Sequence, residues 1–161
     1  MHPLSIACLL AVSLSIISAA DTLPEGYFGS FKLDHSDNFD EYLKATGVGW
    51  FKRKLISLAS ITKTFTKVGP TTFNFDNETT KKSLHYKNVE LGKEFIGEGI
   101  DSSKQKITFT LRNGRLYEKH VPTDPNAEQK EDEYAFKLDG DTLVQTLQSN
   151  GVVAKRYYKR L

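Results

Sequence analysis

The sequence predicts an all-β domain: ten antiparallel strands in an up-and-down meander, with one helical hairpin between the first two. Three observations predict it. From Ser30 to the C-terminus, apolar and polar residues alternate with period two. Turn residues separate the alternating stretches at a spacing too short for crossover helices. The sole helical region lies between the first two alternating stretches.

Taken in order, the first strand is expected over Tyr27 to His35. Asp37 or Asn38 then caps a helix through Leu43 or Lys44, Gly47-Val48-Gly49 breaks it, and Trp50 to Ala59 forms a second. On that second helix Phe51, Leu55, Leu58 and Ala59 make an apolar stripe, while Lys52, Arg53 and Lys54 cluster as a basic band. Strands follow over Thr62 to Val68, Thr71 to Asp76, Ser83 to Val89, Lys93 to Glu98 and Gln105 to Arg112. The last four are Arg115 to Val121, Glu133 to Leu138, Thr142 to Ser149 and Val152 to Lys159. Gly69-Pro70, Asn113-Gly114, Asp139-Gly140-Asp141 and Asn150-Gly151 supply the turns, and Asn-Gly readily takes the left-handed conformation of a two-residue hairpin loop. Parity is clearest in Ile107, Phe109 and Leu111, whose neighbours Lys106, Thr108 and Thr110 face water. Val121 to Asp132 is a polar, proline-bearing connection.

Leu4 to Ile17 is an almost unbroken apolar run, followed by Ser18-Ala19-Ala20 and the polar Asp21. It is shorter than the about 18 residues that a membrane span needs. Residues 1–20 therefore read as a secretory signal cleaved after Ala20, leaving residues 21–161 as one secreted, extracellular domain. The only cysteine, Cys8, leaves with it, so the remaining chain has neither disulfide staples nor thiolate chemistry. Twenty-two Lys and Arg against 20 Asp and Glu give a formal +2, without the strongly basic balance that would call for nucleic acid. His2, His35, His85 and His120 show no metal-ligand spacing, and Glu131-Asp132-Glu133 reads as a solvated loop edge. There is no phosphate-cradling glycine loop and no nucleophile elbow, so no metal, cofactor or catalytic turnover is expected. Asn77-Glu78-Thr79 is a glycosylation sequon whose occupancy the sequence leaves open.

Six segments carry a resemblance. Gly29-Ser30-Phe31-Lys32-Leu33 runs into Asn38-Phe39-Asp40-Glu41-Tyr42-Leu43; Gly47-Val48-Gly49-Trp50 and Arg53-Lys54 follow; Leu91-Gly92-Lys93-Glu94-Phe95 sits mid-chain; Arg156-Tyr157-Tyr158 closes the chain. Together they resemble the intracellular lipid-binding protein family, the fatty acid-binding proteins and their retinoid-binding relatives. The leader and the long Val121 to Asp132 loop resemble its secreted nematode branch. The resemblance implies a closed ten-stranded, lipocalin-like (calycin) β-barrel under a helix-turn-helix lid. It implies a monomeric carrier, not an enzyme, whose ligand is a long-chain fatty acid or a retinoid. Arg156 and Tyr158 match the family's head-group residues. Phe136 stands where relatives carry a second Arg, and Gln145 and Tyr134 are the nearby replacements, sharing parity with Leu143 and Leu147 and with Phe136.

Phe39, Tyr42, Leu43 and Trp50 are expected to line or cover the cavity mouth, with ordinary helix-to-barrel packing as the alternative for each. Some relatives touch anionic membranes transiently through a basic lid helix; for Lys52, Arg53 and Lys54 a solvated face is the plainer reading. Independently of the family, Val152, Ala154, Arg156 and Tyr158 on one inward face would place a permanent charge in a low-dielectric interior. The alternative puts Arg156 among the solvated charges Lys155, Lys159 and Arg160. A competing class is an extracellular interaction protein that binds through the Val121 to Asp132 loop, its cavity incidental. An enzyme on a barrel scaffold lacks any nucleophile–base pair.

Overall fold

The computed structural model describes residues 22–127 and 129–161. The leader read over residues 1–20 lies outside the described residues. Ten strands appear: β1 (Gly29–Asp37), β2 (Ile61–Lys67), β3 (Thr72–Thr79), β4 (Ser83–Glu90), β5 (Glu94–Glu98), β6 (Lys104–Arg112), β7 (Arg115–Pro122), β8 (Asp132–Asp139), β9 (Thr142–Ser149) and β10 (Val152–Arg160). Two helices, α1 (Phe39–Ala45) and α2 (Trp50–Ser57), lie between β1 and β2. Strand identities agree with the sequence reading, and boundaries differ by a few residues. The largest difference is at the end of β3, which runs on to Thr79 past the expected Asp76; at the start, Glu25–Tyr27 forms a single 3-10 turn and β1 begins only at Gly29.

The strands form one antiparallel sheet in the order β4-β3-β2-β1-β10-β9-β8-β7-β6-β5. Sequential hairpins explain every pairing except β1 with β10, which joins the two ends of the chain, Phe31 opposite Arg160 and Leu33 opposite Tyr158. Arg160 strengthens that seam by donating to the carbonyls of Phe28 (2.8 Å) and Gly26 (2.6 Å). Gly29 there has φ +128°, and a Cβ on it would come within 2.7 Å of Arg160 Nη1. Asn113-Gly114 and Asn150-Gly151 both take positive φ, 50° and 73° in the first and 47° and 79° in the second, as two-residue hairpins require.

Full closure of the barrel was the expectation, yet among the described residues β4 and β5 share no ladder. Side chains bridge the gap instead. The Tyr86 hydroxyl donates to the Glu98 carbonyl (2.7 Å), Tyr86 packs edge-on against Phe95 (5.4 Å), and Lys82 Nζ reaches Glu98 and the Gly99 carbonyl (both 3.1 Å). A shallow groove of 560 Å³ follows this gap.

Strict alternation turns half of every strand inward. At one end of the barrel Phe31, Phe65, Phe73, Phe109, Leu116, Phe136 and Leu143 are buried to 1% exposure or less and fill the floor. Tyr27 seals it, its hydroxyl donating to the carbonyls of Gly114 (3.0 Å) and Phe136 (3.1 Å). At the other end a smaller cluster of Tyr42, Leu43, Leu147 and Ala154 fastens α1 to β9 and β10.

The lid departs from the sequence reading in three respects. Asn38 does precede α1, but in the left-handed conformation (φ 57°) and without a capping bond; its amide donates to the Val153 carbonyl at 2.9 Å. The expected apolar stripe of α2 is not a packed face: Phe51 and Leu58 are 69% and 82% exposed, and Ile56 packs on the α1 cluster instead. The basic band divides as well. Lys52 and Lys54 are solvated, whereas Arg53 is half-buried and ties the lid together, donating to Asp40 Oδ1 and the Val48 carbonyl (both 3.0 Å).

Candidate functional site

Above the aromatic floor the inward positions change character. Continuing each strand's parity toward the helices places Lys63 on β2, Asn77 on β3, Gln105 on β6, Glu118 and His120 on β7, Gln145 on β9 and Arg156 on β10. All of these line one cavity of 1210 Å³, roofed by Phe39, Tyr42, Leu43 and Ile56 and reaching Leu58, Thr80 and Ile100 at its mouth. Its size and its mix of apolar walls and a few convergent polar groups suit a ligand of about twenty heavy atoms or more.

Arg156 and Tyr158 are 7% and 0% exposed, so the inward reading of β10 holds and the solvated-tail alternative does not. The Arg156 guanidinium lies 4.0 Å from the centre of the Phe39 ring, and its Nε donates to Ser36 Oγ at 3.2 Å. Among the described residues it makes no ion pair, and burial pulls its pKa down. The Tyr158 hydroxyl donates to Gln145 Oε1 at 2.9 Å. Burial, partly countered by the nearby Arg156, pushes its pKa up to about 12.

Tyr134 also lines the cavity, its ring 5.7 Å from that of His120, and burial raises its pKa well above the ordinary value. Tyr42 stacks on Phe39 (5.9 Å) and donates to Asp132 Oδ2 at 3.4 Å. Trp50, expected at the mouth, is 64% exposed and is not part of the lining. Phe136 sits fully buried in the floor.

The second interior cation comes from another strand. Lys63 is 4% exposed; its Nζ donates to Asn77 Oδ1 at 3.0 Å and faces the rings of Phe75, Tyr158 and Phe136 at 5.5, 5.5 and 5.6 Å. Burial brings its pKa down to about 8, with Glu118 opposing the shift and Arg156 adding to it. Asn77, the sequon residue, therefore points into the barrel, and a glycan on it would have to displace this contact.

A polar chain crosses the opposite wall. His120 Nδ1 lies 2.5 Å from Gln105 Oε1 and Nε2 lies 2.8 Å from Glu118 Oε1, all three buried. Gln105 Nε2 donates onward to Gln129 Oε1 at 2.9 Å, so the β7–β8 connection forms part of the cavity wall. Lys63, Gln105, Glu118 and His120 were not singled out from the sequence as lining residues. Parity with Ile61 and Phe65, with Ile107 and Phe109, and with Leu116 was the available signal, obscured because charged residues in a strand ordinarily mark its wet face.

No protein-family model matches the chain. It is 49% identical over 154 residues to fatty acid-binding protein homolog 1 of Caenorhabditis elegans, covering 95% of this chain and 96% of that one. The chain belongs to the fatty acid-binding protein family. Among solved structures, As-p18, described as an extracellular fatty acid-binding protein, superposes with a TM-score of 0.82 at 43% identity, over 87% of this chain and 99% of that one. A Schistosoma mansoni fatty acid-binding protein in complex with arachidonic acid gives 0.70 at 30% identity, over 85% and 97%. Membership makes the chain a lipid-binding carrier and not an enzyme, and it accounts for the barrel with its helical cap.

Proposed function

We propose that this chain is a secreted, monomeric carrier that holds a long-chain fatty acid non-covalently in its barrel, the carboxylate at Arg156, Tyr158 and Gln145 and the chain along Phe39, Tyr42 and Tyr134. One observation carries the reading: Arg156 is a buried guanidinium facing a cavity, and among the described residues no carboxylate pairs with it. Glu118 acts electrostatically on Lys63, whereas among the described residues no carboxylate forms an ion pair with Arg156, whose charge is open to an anionic ligand. A desolvated charge is costly without a partner, and a fatty acid carboxylate supplies one.

The division of labour follows from magnitudes. A long acyl chain contributes roughly 10 kcal/mol by burial at about 0.8 kcal/mol per methylene, before ordering costs. The charge-assisted head-group bond adds about 1.5–3 kcal/mol. The chain therefore supplies affinity, and Arg156 with Tyr158 selects acid over alcohol and fixes direction. The arachidonate-bound relative supports an acid as ligand, and the extracellular description of As-p18 supports the export read from residues 1–20.

Native mass spectrometry of the protein secreted by expressing cells, followed by lipid extraction, tests the ligand; a retinoid or no lipid at all would replace this reading. Arg156→Gln weakens binding of a fatty acid about tenfold to a hundredfold more than binding of the matching alcohol. Equal losses for both would remove the anchor.

A further inference from the structure

Of the two interior cations, Lys63 is the one that the head-group reading leaves without a task. We propose that Lys63 is an amine nucleophile that captures long-chain lipid aldehydes as imines inside the barrel, a covalent binding mode beside the reversible carriage of acids. The proposal rests on the carrier reading in one respect only, that an aliphatic chain enters the cavity.

The geometry is that of a presented amine. Lys63 Nζ is held from one side by Asn77 Oδ1 at 3.0 Å, and its remaining directions face the cavity and the rings of Phe75, Phe136 and Tyr158. Among the described residues no carboxylate forms an ion pair with it, unlike Lys67, Lys82, Lys93, Lys119 and Lys159 on the outer surface. The surrounding charged and titratable groups act in both directions: burial and Arg156 drive the proton off, Glu118 retains it, and the balance leaves a pKa of about 8 against 10.5 for an ordinary lysine. At neutral pH the reactive neutral amine is then roughly three-hundredfold more abundant at Lys63 than at an exposed lysine. An acyl chain lying in the cavity adds effective concentration.

The step balances without a further reactant. The amine lone pair attacks the aldehyde carbon, forming a C–N bond as the carbonyl π pair moves to oxygen. The resulting carbinolamine loses its oxygen together with both amine protons as water, and the C=N bond forms. Burial of Lys63 away from bulk water favours that loss, and a straight-chain aldehyde fills the volume that the acid would fill.

The test treats the secreted protein with hexadecanal and sodium cyanoborohydride, then maps the reduced adducts by peptide mass spectrometry. One adduct is expected, at Lys63, forming at least ten times faster than at any other lysine and suppressed by oleate; Lys63→Arg, which keeps the charge, loses it. Labelling spread over surface lysines with no preference for Lys63, or undiminished in Lys63→Arg, overturns the inference, and the wild-type map alone decides should the variant fail to fold. Oleate binding on the same preparation separates the two readings: oleate bound with Lys63 unlabelled sinks the imine alone, while failure of both lipids to enter sinks the carrier and the imine together.

Discussion

The two ends of the barrel solve different problems. The floor is an aromatic solid: Phe65, Phe73, Phe109 and Phe75 pack in a cycle of four ring contacts at 4.8–6.2 Å, edge-on or tilted, and Tyr27 closes the layer from outside. The roof has four buried apolar residues in its cluster, and α2 has none. Polar ties hold the roof instead: Arg53 to Asp40 and Val48, Asn38 to Val153, and Asn150 Nδ2 to the Ala45 carbonyl at 2.7 Å. Apolar contact is worth more than such surface ties. Stability therefore resides at the floor and access at the roof, so the lid can part without melting the barrel. A chain whose described residues lack cysteine gets its rigidity from that aromatic layer.

The contrast breaks most visibly at Phe109. Phe109→Ala should cost about 3–5 kcal/mol in urea unfolding, the range for truncating a buried aromatic; a cost no larger than that of a roof variant would refute the division. The next effect depends on pH. Lys63 has a folded pKa of about 8 and an ordinary value of 10.5. Between these values the unfolded chain binds more protons, so stability rises with pH. The gain from pH 7.5 to 9.5 should be about 2 kcal/mol and vanish in Lys63→Met. Measurements stop below pH 10, because the raised pKa of Tyr158 acts in the opposite sense above it. Tyr27→Phe leaves two carbonyls short of a donor and should cost about 1–2 kcal/mol, read from the same unfolding curves. Arg53→Ala should cost under about 1 kcal/mol of stability and speed fatty acid release roughly two- to fivefold in stopped-flow displacement. Leu58→Ser, at an exposed roof position, should stay within about 0.5 kcal/mol of the parent.

The floor was legible because its rule is local. Ile107 and Phe109 alternate with Lys106 and Thr108, both Asn-Gly hairpins follow from backbone chemistry, and β9 has the boundaries expected of it. The inward face of the last strands was legible as well: Arg156, Tyr158 and Gln145 are buried, as the inward of the two parity readings had it. What escaped depends on long-range closure. Lys63, Glu118 and His120 look like surface residues until the sheet curls and makes an interior large enough to hold them. The α2 stripe misled for the converse reason, since helical periodicity reports an apolar face and not whether anything covers it. The gap between β4 and β5 left no mark in either strand, because a strand that ends unpaired has the same alternation as one that pairs.

The β1–β10 ladder has a consequence for how the molecule comes into being. Its partners are separated by nearly the whole chain, and the Leu161 amide still reaches the Ser30 carbonyl at 2.9 Å. Neighbouring hairpins can zip as soon as they are synthesised, but the sheet cannot curl into a barrel until β10 is available to pair with β1. Until β10 meets β1 the earlier strands make an uncurled ribbon, and the vessel takes shape only with that last pairing.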